Sequence, residues 1–124
     1  MKFTLEEVLK ANGHTPDSVP ESVRNNLIDL IARINLIGYP KPAICTSGYR
    51  SPEYNKAIGG AKKSAHCLGR AIDISDKDGE IKKFIMEQDR LLEKLGLRME
   101  SPISAPTWVH IDSMPVKHSR VFVA

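Results

Sequence analysis

The fold is decided by a stretch in the middle of the chain, which reads Ser64-Ala65-His66-Cys67-Leu68-Gly69-Arg70-Ala71-Ile72-Asp73-Ile74. Its second half is an apolar run typical of a buried strand, except that it contains Asp73. A charge buried without a partner is very costly, so Asp73 needs either a metal ion or a buried Arg or Lys beside it. Gly69 allows the chain to turn sharply between His66 and Asp73.

A second histidine lies in a strand nearer the C-terminal end of the chain, within Trp108-Val109-His110-Ile111-Asp112. The run is β-prone, and its alternation places residues 108, 110 and 112 on one face. Two imidazoles and one carboxylate, with a fourth position open to water, form a ligand set that catalytic zinc prefers. His66, Asp73 and His110 are therefore candidate ligands of a Zn²⁺ ion, which would activate a water molecule and polarise a carbonyl. The spacing alone is not specific, because single histidines usually lie on the surface or in a core where their hydrogen bonds are satisfied.

Helix and strand patterns on either side of these residues predict an α+β fold. A capping box of Thr4 and Glu7 begins a helix that ends near Ala11, and apolar residues at helical spacing predict a second helix over 20–34. Further helices are predicted over 51–58 and 80–95. Strands are predicted over 42–47, 71–74, 97–100, 107–112 and 120–123. The N-terminal helices are expected to pack on a small, mostly antiparallel sheet, in a single domain covering residues 1–124.

Composition and charge exclude several classes of protein. The chain has 124 residues, of which 41% are hydrophobic and 27% charged, and its formal net charge is +3. Such a mildly basic chain favours an anionic surface such as a bacterial wall, but it has neither the basic runs nor the aromatic ladder of a nucleic-acid-binding protein. No apolar stretch approaches the ~20 residues needed to cross a bilayer, so no membrane insertion is expected. The chain is expected to be a monomer.

The N-terminus has acidic residues where a signal peptide would have its apolar run, in Met1-Lys2-Phe3-Thr4-Leu5-Glu6-Glu7. The protein is therefore expected to be synthesised in the cytoplasm and to reach a cell wall only after release by another factor. This favours a phage origin.

The chain contains two cysteines, Cys45 and Cys67. They are expected to be free thiols, although one disulfide is an alternative. If the segment is extended, the Cys67 thiol points away from His66, which argues against a role as metal ligand.

Several blocks together resemble the zinc D-Ala-D-Ala carboxypeptidase family, in particular its small phage-type members. They are Ser47-Gly48-Tyr49-Arg50-Ser51-Pro52-Glu53-Tyr54-Asn55, Gly59-Gly60, the stretch 64–74 quoted above, and Trp108-Val109-His110. This family includes phage and bacterial murein peptidases and shares its fold with hedgehog signalling domains. Residues 3–7 and the helix over 23–34 also look like the small members, so the resemblance covers nearly the whole chain.

The resemblance implies a role for each matching residue. His66, Asp73 and His110 become the zinc ligands. Arg50 matches an arginine placed near the substrate, where the paired N–H donors of its guanidinium suit a peptide carboxylate or a developing oxyanion. The alternative is that Arg50 forms a structural ion pair. Ser64 is expected to line the site or to cap the turn before His66.

One position departs from the family pattern. Well-studied members have an acidic general base three residues before the last histidine ligand, where this chain has Thr107, which is a poor proton acceptor near neutral pH. Glu100 is the first candidate to replace it, from an adjacent strand. Asp112 is the second candidate, although it could instead orient His110.

The resemblance implies a zinc metallopeptidase that hydrolyses peptide bonds in peptidoglycan stem peptides, either as a D-Ala-D-Ala carboxypeptidase or as an endolysin-type endopeptidase. The alternative is a catalytically inactive, zinc-containing module that binds peptidoglycan on the same fold. A third reading, a structural domain in which His66, Asp73 and His110 do not meet, stays open at this point.

Overall fold

The computed structural model describes residues 1–124 and contains five α-helices and one five-stranded sheet. The helices are α1 (Leu5–Lys10), α2 (Glu21–Asn35), α3 (Pro52–Ala57), α4 (Glu80–Glu87) and α5 (Leu91–Leu95). The strands are β1 (Cys45–Ser47), β2 (Ala71–Ser75), β3 (Arg98–Glu100), β4 (Trp108–Asp112) and β5 (Val121–Phe122). Two short 3₁₀ segments lie in the loops, at Pro16–Ser18 and Ala65–Leu68.

The sheet has the strand order β1-β2-β4-β3-β5. Every neighbouring pair is antiparallel except β3 and β5, which are parallel. The predicted α+β class with a mostly antiparallel sheet is therefore confirmed. The longest ladder joins β2 to β4, with Asp73 opposite His110 at its centre.

One face of this sheet is dry. Alternation along the three central strands directs five fully buried side chains to it, namely Ile72, Ile74, Met99, Val109 and Ile111. They belong to one hydrophobic cluster with the apolar stripe of α2, whose residues Val23, Leu27, Leu30, Ile31 and Ile34 are all buried. Because this face is covered, the polar side chains of β2 and β4 are directed to the opposite face.

Gly69 ends the 3₁₀ segment and turns the chain into β2. Its φ is +71°, in the left-handed region that glycine adopts without strain. A Cβ at this position would also lie 2.5 Å from the carbonyl oxygen of Val23 on α2. The turn predicted from this glycine is thus present, and no other residue fits the same packing.

The single helix predicted over 80–95 is wrong, because the chain breaks between α4 and α5. A continuous helix would place residues 81, 85, 88 and 92 on its core-facing stripe, and residue 88 is a glutamine. Gln88 is exposed, and Arg90 takes a left-handed conformation with φ of 54°. The break keeps the polar side chain in water and still allows Leu92 to be buried.

Other predicted elements differ only at their ends. The capping box of Thr4 and Glu7 is present at α1, and Ser51 caps α3. The strand predicted over 42–47 is shorter because Pro42 has no N–H to donate and lies outside β1. The last strand covers only Val121–Phe122.

Candidate metal centre

The polar face of the sheet carries the chemistry-bearing side chains. Antiparallel pairing places Asp73 opposite His110, Ser75 opposite Trp108, and Ala71 opposite Asp112. Arg98 of β3 also pairs with Asp112. Because paired residues point to the same face, β2, β3 and β4 deliver one patch of polar groups above a dry core.

His66 reaches this patch from a turn, not from a strand. It lies in the 3₁₀ segment Ala65–Leu68, whose first turn is capped by the Ser64 hydroxyl accepting from the backbone N–H of His66 at 3.2 Å. The imidazole is buried, and its Nδ1 lies 2.7 Å from the carbonyl oxygen of Gly48. A carbonyl can only accept, so Nδ1 carries the proton and Nε2 keeps its lone pair.

His66, Asp73 and His110 converge on one point. The Nε2 atom of His66 lies 3.3 Å from Oδ2 of Asp73, and Nδ1 of His110 lies 2.9 Å from Oδ1 of the same carboxylate. One ligand atom from each of the three residues lies within 4.8 Å of the other two. The reading in which these residues do not meet is therefore excluded.

The outer nitrogen of His110 is held as firmly as that of His66. Its Nε2 lies 2.9 Å from Oδ2 of Asp112, which is almost completely buried. Arg98 donates two hydrogen bonds to that carboxylate, from Nε at 2.8 Å and from Nη2 at 2.9 Å. A carboxylate already bound to a guanidinium stays ionised, so it accepts a hydrogen bond from the Nε2–H group and leaves Nδ1 of His110 facing Asp73.

This donor set fits zinc. Two imidazole lone pairs and one carboxylate face a common point, and each imidazole has its other nitrogen engaged by an acceptor outside the cluster. Ligating histidines of zinc sites are oriented in the same way, by a carbonyl or a carboxylate. Three protein ligands leave a fourth position open, as in catalytic and not structural zinc sites.

Without a cation, the cluster shares protons among its members. Burial alone would raise the pKa of Asp73, but the hydrogen bond from His110 and the nearby His66 imidazole outweigh it and hold that pKa far below its usual range. Burial would lower the pKa of His110, but hydrogen bonds to Asp112 and Asp73 raise it to about 9. Burial would raise the pKa of Asp112, but hydrogen bonds from His110 and Arg98 outweigh burial and lower that pKa. A charged imidazole thus stands between two carboxylates where a metal ion would otherwise balance them.

Arg50 and Ser64 both line the cavity that opens onto this cluster. Arg50 lies 3.6 Å from Oδ2 of Asp73 through Nη2, and its Nε donates to the Ser47 hydroxyl at 3.3 Å. Its guanidinium therefore has a structural ion pair and also borders the cavity. The predicted substrate roles of Arg50 and Ser64 stay predictions.

The two candidates for the general base, Glu100 and Asp112, occupy different surroundings. Glu100 lies on β3, adjacent to β4, and lines the cavity together with His110. Asp112 is buried and fully engaged by Arg98, His110 and the backbone N–H of Met114. This geometry favours the orienting role for Asp112, whereas the catalytic role of Glu100 stays a prediction. Thr107 does not line this cavity.

Three groups that support the site, namely Arg98, Asn55 and the Gly48 carbonyl, were not predicted from the sequence. Arg98 could have been found only from the register of β3 against β4, and the loop over 101–107 hides that register. Asn55 is buried, accepts a 3.5 Å hydrogen bond from Arg50 and donates to the carbonyl of Ala61 at 2.8 Å. The acceptor for His66 is the backbone carbonyl of Gly48, which no side-chain pattern reveals.

Both cysteines are free thiols, as expected. Burial raises the pKa of Cys45 to about 12 and also raises the pKa of Cys67. Cys67 lies outside the three-residue cluster, although the reason differs from the predicted one, since its segment is a 3₁₀ turn and not extended.

The cavity in front of the cluster has a volume of about 330 Å³. Its wall combines the three clustered residues with cationic and anionic side chains, among them Arg50, Lys63, Arg98 and Glu100. The sequence model of the peptidase M15 family matches residues 1–112 of this chain.

The chain belongs to the peptidase M15 family. Members of this family are zinc-dependent peptidases, and the cluster of His66, Asp73 and His110 supplies a matching set of donors. The resemblance read from the sequence is confirmed by this match. No curated protein matches the chain. None of its helices has the length and apolar character that crossing a membrane would require.

Proposed function

We propose that this M15 peptidase uses zinc to hydrolyse peptide bonds in the stem peptides of peptidoglycan. The observation that carries the proposal is the convergence of Nε2 of His66, the Asp73 carboxylate and Nδ1 of His110, each imidazole held from outside. The mild positive charge of the chain also favours an anionic wall as the target.

These three residues would hold zinc, which would supply a Lewis acid and an activated water for attack on an amide carbonyl. The chain's own side chains supply the rest. Gly48 and Asp112 orient the two imidazoles before the ion binds. The dry sheet face beneath them keeps that geometry rigid.

Glu100 is the proposed general base. Its carboxylate borders the cavity on the strand next to His110, and no salt bridge ties it to a cation. It would accept a proton from the attacking water and return it to the leaving amine. Arg50, on the opposite side of Asp73, would donate hydrogen bonds to a substrate carboxylate or to the oxyanion, and Ser64 would border the bound peptide.

The second candidate is a zinc-containing module that binds peptidoglycan without cutting it. Thr107 at the position of the usual acid favours this candidate. In both cases we propose that the protein acts as a monomer on the cell wall, without nucleic-acid or membrane partners, and is released from the cytoplasm by another factor.

The test is digestion of purified muropeptides with the zinc-loaded protein, with and without a chelator, read by mass spectrometry. We expect new fragments that disappear with the chelator and return with added zinc. A Glu100→Gln variant that binds zinc normally should lose roughly 10²–10⁴-fold in turnover. Stoichiometric zinc with no cleavage of any muropeptide would favour the binding module.

A further inference from the structure

A second cavity adjoins the metal centre on the far side of Trp108. It has a volume of about 630 Å³ and is lined by six residues, namely Thr46, Asp73, Ser75, Lys77, Thr107 and Trp108. Asp73 and Trp108 also line the first cavity. The two cavities therefore share a wall, and one of the proposed metal ligands stands in that wall.

The sheet register shows how the two cavities are arranged. The first extends from His110 towards β3, where Arg98 and Glu100 lie. The second extends past the pair of Ser75 and Trp108 towards Thr46 on the edge strand β1. A chain lying across the polar face would thus fill the first cavity, pass the cluster at Asp73 and enter the second.

We propose that the second cavity binds the part of the substrate beyond the scissile bond, which makes this protein an endopeptidase. This inference rests on the proposed function. A carboxypeptidase needs a cleft that ends one residue past the scissile bond, and here open space continues on both sides of Asp73. The favoured substrate is a stem peptide with several residues on each side of the bond that is cut.

The lining of the second cavity fits a polar peptide with a free carboxylate. The Thr46 hydroxyl donates to the Asp73 carbonyl at 3.4 Å and can still accept from a main-chain N–H, whereas the hydroxyls of Ser75 and Thr107 can donate to and accept from main-chain amides. The Lys77 ammonium is exposed and lies within 4 Å of no carboxylate, so it is free to bind an anion. Stem peptides carry carboxylates along their length, and the Lys77 ammonium would bind the carboxylate that follows the scissile bond.

Fluorescence of Trp108 measures this binding directly, because it is the chain's one tryptophan and borders both cavities. Two probes are titrated into the zinc-loaded Glu100→Gln chain: N-acetyl-D-Ala-D-Ala, and a synthetic stem pentapeptide. We expect the pentapeptide to bind at least tenfold more tightly. Lys77→Glu should remove most of that gain and leave the dipeptide affinity unchanged.

Lys94→Glu is the matched control, because Lys94 is an exposed lysine on α5 that lines neither cavity. It should change neither affinity. Thr46→Val tests the hydroxyl lining separately and should weaken pentapeptide binding a few-fold.

Equal affinity for the two probes, or a pentapeptide affinity unaffected by Lys77→Glu, would overturn the inference. With active enzyme, muropeptide fragments should map to an internal bond, and release of free D-Ala alone would overturn it as well. Failure of the proposed function looks different: a zinc-loaded chain that neither binds nor cleaves either probe would remove both proposals together.

Discussion

The side chain of His110 stands between two carboxylates, and this position makes the candidate site sensitive to a residue outside it. Asp112 orients the imidazole, and Arg98 holds Asp112 through two hydrogen bonds. Arg98 itself packs over the ring of Phe122, 4.2 Å from its centroid. The orientation of His110 in the proposed metal site thus depends on a guanidinium that is not itself one of the three clustered residues.

Arg98→Lys should weaken zinc binding by roughly 10–100-fold, because an ammonium cannot reproduce the paired hydrogen bonds to Asp112. The measurement is a competition titration against a chromophoric chelator. Arg90→Lys, at an exposed ion pair with Glu93, is the control and should leave zinc affinity unchanged. An Arg98→Lys protein that binds zinc normally would show that Asp112 orients His110 without the paired hydrogen bonds of a guanidinium.

Protonation of His110 should make the stability of the metal-free protein depend on pH. Its folded pKa, raised to about 9, lies above the unfolded value near 6.5, so its contribution is complete below pH 6.5 and is lost as pH rises through 9. We expect the free energy of unfolding to fall by about 2–3 kcal/mol across this window. Asp73, whose pKa is lowered, acts oppositely, and its contribution is lost as pH falls below about 4.

Urea unfolding of chelator-treated protein at several pH values measures this dependence. His118→Gln, at an exposed histidine, should leave the slope unchanged, whereas His110→Gln should remove it. The zinc-loaded protein should show little slope, because a ligating imidazole is already neutral. A flat profile for the metal-free protein would contradict the proton sharing described above.

At the scale of the elements, a buried ion pair fixes α4 to the strand that carries His110. Asp76 accepts from the backbone N–H groups of Ile81 and Lys82 and lies 3.3 Å from the Lys82 ammonium. The same ammonium donates to the carbonyls of Ala105 and Trp108. The loop before β4 and the start of α4 therefore share one cation.

Lys82→Met should destabilise the fold by roughly 3–5 kcal/mol, because it leaves the Asp76 carboxylate buried without its cation. Lys83→Met, at the exposed neighbour on the same helix, is the matched control and should have little effect. Chemical denaturation compares the three proteins. The double variant Asp76→Asn with Lys82→Met should recover part of the loss, and its failure to do so would mean that the ammonium acts mainly through the two carbonyls.

Most of the helices and strands could be predicted from the sequence, and each prediction that failed did so for a physical reason. The apolar stripe of α2 and the alternation of β4 could be predicted because each is a clear hydrophobic periodicity within a single helix or strand. The break after α4 was not, because it depends on whether Gln88 can be buried in the folded protein. The 3₁₀ turn that holds His66 was not predicted either, because a backbone carbonyl, that of Gly48, fixes the imidazole.

At the scale of the whole molecule, the structure brings His66, Asp73 and His110 together, whereas their role as zinc ligands stays a prediction. The single domain over 1–124 also stays a prediction. What the sequence could not reveal is the second cavity, since it depends on how Thr46 of β1, Lys77 after β2 and Thr107 before β4 meet in three dimensions.

Removal of the metal should lower the stability of the entire fold. A zinc concentration 1,000 times the dissociation constant adds about 4 kcal/mol to the free energy of unfolding. We expect a chelator to lower the Tm and zinc to restore it, as measured by scanning fluorimetry. His66→Ala should abolish the zinc-dependent shift, whereas an unchanged shift in that variant would place the metal elsewhere.

The pairing of Asp73 with His110 joins residues 37 positions apart through the longest ladder of the sheet. Contacts between such distant segments form late, after the chain has closed a long loop. We therefore expect the ion to bind only after β2 and β4 have paired. It would then stabilise the completed sheet and would not nucleate its formation. Refolding should run at the same speed with or without zinc, while zinc should slow unfolding.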